Sequence, residues 1–139
     1  MPVYDRLLVA VDHSEISDRV IAAARDIASL SKGKVWVLHL QEREWGRIER
    51  TPTETDQEAR EAVTRGVQAL IQAGVDAQGE VREALYGHAA HEIVEDAKKH
   101  DAGVIIMGSR GRSDIAGLVL GSTAHKVIHL TDRPVLVIR

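Results

Sequence analysis

"VIIMGSRGRSDIAGLVLGST", Val104 to Thr123, joins a short apolar run to a loop that carries four glycines, two arginines and four hydroxyl residues. An uninterrupted apolar run of strand length is the pattern of a strand buried on both faces. From about Ser122 to Leu130 the apolar spacing changes to that of a helix. Strand, glycine-rich turn and helix in succession make half of a βαβ unit, so the question is whether the rest of the chain repeats it.

It does. "LLVAV" (Leu7–Val11) is a second apolar run. After it Ser14 is placed to cap a helix with apolar residues at Ile16, Val20, Ala24, Ile27 and Leu30, and Gly33 is expected to end that helix. "VWVLHL" (Val35–Leu40) reads as the next buried strand, and the polar stretch from Gln41 to about Thr55 reads as a loop. A helix with Ala59, Val63, Val67, Leu70 and Ile71 on one face stops at Gly74. A more polar strand covers Asp76–Leu85, a third helix runs from His88 to Lys99 with Ala90, Ile93, Val94 and Ala97 inward, and "PVLVI" closes the chain as a last strand. No repeat, low-complexity segment or linker divides residues 1–139, which read as one domain.

Strands alternating with single helices predict an α/β fold with a parallel sheet covered on both faces. For five strands the expected doubly wound order is 3-2-1-4-5. Such sheets bind ligands beyond the carboxyl ends of the strands, where the winding reverses, here between strands one and four. "VDHS" and "GSRG" should therefore meet.

Composition narrows the function. In 139 residues, 44% are apolar and 28% charged, ordinary for a soluble globular protein and enough for a real core. There is no Phe, so Val, Ile, Leu and Ala must build that core. With no cysteine, disulfides, thiolate chemistry and Cys-ligated zinc are excluded, and a reducing cytoplasm is the expected location. A net charge of −3 argues against a basic nucleic-acid face. No apolar stretch reaches bilayer length, and "MPVYDRLLVAVD" lacks the basic start of a signal peptide, so the start is expected to be mature structure with no membrane partner.

The glycine loop suggests an anion site. Gly108 and Gly111 lie where the chain leaves the sheet, and glycine lets backbone amides approach a ligand. Gly121, Ser122 and Thr123 would set amides and two hydroxyls at a helix N-terminus, where anions are favoured. Arg110, Arg112 and Lys126 add positive charge. Opposite them Asp12 ends the first strand, and a carboxylate can accept from ribose hydroxyls. Sugar at one end and phosphate at the other suggest a nucleotide, although surface turns with scattered arginines share this composition. Neither the Walker pattern nor G-x-G-x-x-G after the first strand is present, which removes the usual P-loop and dinucleotide readings.

Over essentially its whole length the chain resembles the universal stress protein family, through "LLVAVDHSE", "VWVLHL", "VIIMGSRGRSDIAGLVLGST" and "RPVLVIR". The family's signature, G-x2-G-x9-G-[S/T], falls on Gly108, Gly111, Gly121 and Ser122. The resemblance implies a Rossmann-like, adenine-nucleotide alpha hydrolase-like fold, an ATP site with Mg2+ as an accompanying ion, and a homodimer. Carried over by position, Asp12 would contact ribose, and Ala10, Val11 and Leu40 would border adenine, with Met107 in the same site. Gly108, Gly111, Gly121, Ser122 and Thr123 would hold the phosphates, helped by Arg110 and Arg112. Two departures bear on this. The usual "DGS" turn reads Asp12-His13-Ser14, which touches adenine and ribose geometry, and Gly103 replaces a usual aspartate, a change expected to be local.

The function expected is a nucleotide-binding stress-response regulator in which ATP alters conformation or affinity for a regulatory protein partner. A slow ATPase or phosphotransferase, and a binder of another adenine nucleotide such as cyclic AMP, are the alternatives. The closing strand, residues 135–139, should be a sheet edge open to antiparallel pairing with a second copy. His125 and His129, four apart, and His88 and His91, three apart, have no third ligand arranged with them, so no metal site is expected. His39 reads as a satisfied buried or strand-end imidazole, and Trp45 sits in a charged loop with no periodic reason to be buried.

Overall fold

The computed structural model describes residues 3–12, 14–43, 55–110 and 120–139. Among them strands and helices alternate: β1 (Arg6–Ala10), α1 (Glu15–Ser31), β2 (Lys34–Arg43), α2 (Asp56–Gln72), β3 (Asp76–Leu85), α3 (Ala89–Lys99), β4 (Val104–Gly108), α4 (Ser122–Leu130) and β5 (Val135–Ile138). Every neighbouring pair is parallel, and the order is β3-β2-β1-β4-β5. This is the α/β architecture that the alternation of periods predicts.

The sheet divides two apolar layers, and side-chain alternation along each strand feeds both. Leu7 and Val9 of β1 join α1 and α2 residues such as Val20, Ala24, Val63 and Leu70 on one face. Leu8 joins Ile93, Val94, Ala124 and Val127 of α3 and α4 on the other. Leu7, Leu8 and Val9 are each 0% exposed, which explains why this strand has no polar position to alternate with. Burying each such side chain stabilises the fold by roughly 1.5–3 kcal/mol.

Local expectations needed three corrections. β2 does not end at Leu40: Gln41, Glu42 and Arg43 continue it, paired with Glu83, Ala84 and Leu85 of β3. Past the end of β1 these polar residues still have one ladder partner, which hydropathy does not reveal. Leu30 (88% exposed) and Ile71 (55%) lie outside the core, because Ala28 and Leu70 already fill the inward position of the last turn. The left-handed residue after α1 is Lys32, at φ 59°, rather than Gly33. Gly33 is needed for space, since a Cβ there would lie 2.5 Å from the Tyr4 carbonyl oxygen. The third helix, expected from about His88 to Lys99, runs from Ala89 to Lys99 with His88 as its N-cap residue, as the spacing predicts. Among the described residues no helix is long and apolar enough to cross a membrane.

Candidate functional site

β1 and β4 are adjacent and leave the sheet on opposite winding directions, so their carboxyl ends form the crevice. Leu7, Leu8 and Val9 pair with Val104, Ile105 and Ile106, and continuing the register sets Ala10 beside Met107. Met107 is buried, and partly buried Ala10, Leu40 and Leu120 pack on the same α3/α4-side cluster. Four residues far apart in sequence thus make an apolar floor on one face of the strand ends. Gly108 brings the crevice walls together: a Cβ there would lie 2.6 Å from Ile16 Cγ2 in the first turn of α1. Of the two segments expected to meet, the described parts, Val11, Asp12 and Ser14 on one side and Gly108, Ser109 and Arg110 on the other, lie at one end of the sheet.

Ser109 closes the base of the glycine loop. It is buried, its amide donates to the Ile138 carbonyl at 2.7 Å, and its carbonyl accepts from the Gly121 amide at 2.5 Å. This fixes the start of α4 beside the end of β4. Gly121 is the N-cap, extended at φ −72° and ψ 163°, with no side-chain cap, and its carbonyl accepts the helical bond from His125. The amides of Ser122, Thr123 and Ala124 have no carbonyl one turn back, as in the first turn of any helix. One expectation changes here: Gly121's own amide is held by Ser109 and does not join that anion-facing set.

Asp12 is organised by the start of α1. Its Oδ1 accepts from the Ser14 amide at 2.7 Å, the Ser14 hydroxyl at 2.5 Å and the Ser17 hydroxyl at 2.9 Å. Ser14 holds the N-cap position as expected, but its hydroxyl turns back to the carboxylate and makes no cap bond to the helix. An ionised carboxylate is the stronger acceptor, and the Asx turn it forms starts the helix.

His39 is buried at 3% exposure, with Nδ1 2.7 Å from the Val11 carbonyl oxygen. It is the satisfied buried imidazole that its place in an apolar strand suggests. Ser17, Ser109 and Leu120 were not legible as site residues. Only the D-x-S-x-x-S spacing from Asp12 to Ser17 could have pointed to the first. Arg110 is exposed at the end of the described stretch. Gly111 and Arg112, like His13 and Trp45, lie outside the described residues.

The His125 and His129 rings meet edge to face, centroids 4.5 Å apart, and both are exposed. Among the described residues no group of three or more His, Asp or Glu could hold a metal ion. At the amino ends of the strands an open hollow of mixed charge is bordered by Asp5, Arg6, Lys32, Gly33, Lys34 and Asp76, none of them a candidate site residue.

Comparison with known proteins places this geometry. The sequence model described as "Universal stress protein family" matches residues 3–139. Universal stress protein YxiE of Bacillus subtilis is 32% identical over 153 residues, spanning 99% of this chain and 100% of the relative. A solved universal stress protein from Archaeoglobus fulgidus superposes with a TM-score of 0.77 at 30% identity, covering 96% of this chain and 98% of that one. Another Archaeoglobus fulgidus structure, of the universal stress protein in complex with dAMP, gives 0.73 at 26% identity, covering 99% and 100%. A match over nearly the full length, by sequence and by fold alike, makes the conclusion direct: the chain belongs to the universal stress protein family.

Proposed function

We propose that residues 1–139 act as one nucleotide-binding domain that holds ATP at the carboxyl ends of β1 and β4 and uses it as a regulatory ligand. The observation that carries this reading is the Ser109–Gly121 hydrogen bond, which sets the start of α4 beside the floor of Ala10, Leu40 and Met107. An adenine fits that floor, bordered by Val11, and its ribose falls toward Asp12. The phosphates fall to the amides and hydroxyls of Ser122 and Thr123, as helix N-termini favour anions. Gly108, Gly111 and Gly121 keep Cβ atoms out of the way, and Arg110 and Arg112 supply charge. The dAMP complex of the Archaeoglobus fulgidus relative supports an adenine nucleotide as the ligand class.

Mg2+ would enter on the phosphates, because among the described residues no group of three acidic or histidine side chains exists to hold it. The same geometry argues for binding over turnover. A slow ATPase or phosphotransferase needs a group to orient its nucleophile, and Asp12 Oδ1 is engaged by Ser14 and Ser17. Cyclic AMP, which shares the adenosine half, is the second ligand to compare.

Titration calorimetry with ATP tests the reading. One nucleotide per protomer is expected, with cyclic AMP competing for the same site if it binds. No heat and no retained nucleotide at millimolar ATP would count against it.

The regulatory output follows from β5. This edge strand pairs with β4 on one side, and Leu136 is 37% exposed. An apolar edge of this kind suits antiparallel pairing with a second copy. The reading is a homodimer through residues 135–139, in which nucleotide changes conformation or the affinity for a regulatory protein partner in a stress response. Sedimentation equilibrium should find a dimer that Leu136→Glu converts to monomer; a wild-type monomer at tens of micromolar would remove the dimer from the account.

A further inference from the structure

The single peptide that joins Val11 to Asp12 is held at both of its polar atoms. β1 ends at Ala10, whose register partner is Leu38, and one more ladder bond runs from the Val11 amide to the Leu38 carbonyl at 3.0 Å. Beyond that point the chain turns away toward α1. The Val11 carbonyl accepts from His39 Nδ1 at 2.7 Å, and the Asp12 amide donates to Ser17 Oγ at 2.8 Å. The two clamping side chains come from different elements, His39 from β2 and Ser17 from α1.

The chemistry of each partner fixes its role. A carbonyl oxygen only accepts, so His39 must carry a proton on Nδ1. Ser17 Oγ accepts from the Asp12 amide and donates its own hydrogen to Asp12 Oδ1 at 2.9 Å, so one hydroxyl fixes both the backbone and the carboxylate of the same residue. A peptide bonded at one atom can still pivot about that bond. Bonds to its C=O and N–H from opposite sides remove the pivot, and with it the freedom of the Asp12 Cα–Cβ direction. His39 is 3% exposed, so water does not compete for its bond.

We propose that His39 and Ser17 are positioning residues that lock the Val11–Asp12 peptide between β2 and α1 and thereby aim the Asp12 carboxylate at the sugar of the bound nucleotide. The proposal rests on the nucleotide-binding reading and adds to it the source of ribose recognition. Neither side chain touches the ligand; both act through Asp12. Loss of either should therefore leave the phosphate and adenine contacts intact and remove the advantage that the ribose hydroxyls confer.

The experiment compares the affinities of ATP and 2′,3′-dideoxy-ATP for the full chain. A sugar hydroxyl donating to a charged carboxylate is worth about tenfold or more in affinity, so wild type should prefer ATP by about that factor. His39→Leu and Ser17→Ala should bind the two nucleotides within about twofold of each other, because the misaimed carboxylate no longer distinguishes them. His39→Asn, whose side-chain amide can stand where Nδ1–H stood, should restore most of the preference, whereas a side chain that merely filled space would not be rescued this way. Ser17→Ala is exposed to less risk of misfolding than a change at buried His39, and decides alone if His39→Leu fails to fold.

The outcomes separate the two ideas. Wild-type preference for ATP that persists unchanged in folded Ser17→Ala and His39→Leu overturns the clamp while leaving the nucleotide reading standing. Wild-type ATP binding with no preference overturns the aiming of Asp12 at ribose, and the clamp with it. No binding of either nucleotide overturns the nucleotide reading itself.

Discussion

Replacing Arg82 by Met is expected to lower the free energy of unfolding by about 3 kcal/mol. Arg82 stands on the edge strand β3 and reaches across to α3. Its Nη2 lies 2.6 Å from Asp96 Oδ1 and 2.9 Å from Glu80 Oε1, and Nη1 lies 3.7 Å from Glu92 Oε2. Asp96 is only 2% exposed, so the guanidinium balances a carboxylate that solvent hardly reaches. Burial acts to lower the Arg82 pKa, but the hydrogen bonds and charges of Asp96 and Glu80 act the other way and leave it raised. Without Arg82 the helix would carry a buried, poorly compensated charge close to two more carboxylates. His100, with Nε2 3.7 Å from Asp96 and its ring stacked on Trp36 at 4.5 Å, could compensate only when protonated.

Urea denaturation reads this effect as a fall in stability with little change in slope. The double variant Arg82→Met, Asp96→Leu should recover most of the loss, because removing both partners of a buried pair is often nearly neutral. A single-variant loss under about 1 kcal/mol would place the pair with weak surface bridges instead.

Gly121→Val is expected to weaken ATP binding by about a hundredfold, close to 2.8 kcal/mol at 1.4 kcal/mol per decade. The backbone there tolerates the change, since φ is −72° and any L-residue adopts it. Gly121 is nonetheless buried, so circular dichroism must first show that the variant is folded. What the new side chain spoils is access. Gly121 is the last residue before the amides of Ser122 and Thr123, and a branched Cβ at that point crowds any oxyanion approaching them. Calorimetry on the folded variant checks this. Affinity within threefold of wild type would mean that the phosphates lie elsewhere.

The fold was open to reading because its central strands are buried on both sides. "LLVAV", "VWVL" and "VIIM" carry no polar alternation, and that pattern with interleaved helical periods leaves little choice beyond a parallel sheet. The strand order then followed from chain handedness, and the crevice followed from the order. Misjudged positions fall where burial depends on tertiary partners. Gln41 is polar yet 6% exposed, its Nε2 donating to Asp56 Oδ1 at 3.1 Å, so hydropathy placed it in a loop although it lies in a strand. Leu30 and Ile71 are apolar yet exposed, since Ala28 and Leu70 hold the inward positions of those last turns.

At the site, residue types were legible but their hydrogen-bond assignments were not. Asp12 stood out as a carboxylate at a strand end, while its ties to Ser14 and Ser17 depend on how α1 begins. Ser109 gave no sign in the sequence that its amide would bond to Ile138 of β5 and its carbonyl to the Gly121 amide. Nothing in the spacing showed that Gly121 would give its amide to that closure.

The central claim is a location: adenine nucleotide between the end of β1 and the start of α4. Amide chemical shifts of isotope-labelled protein during an ATP titration test it residue by residue. The account predicts saturable shifts at Val11, Asp12, Leu40, Gly108, Ser122 and Thr123, with the amino-end residues Asp5, Lys32 and Asp76 unmoved. Saturable shifts confined to the amino ends of the strands, or none at all at millimolar ATP, would contradict it.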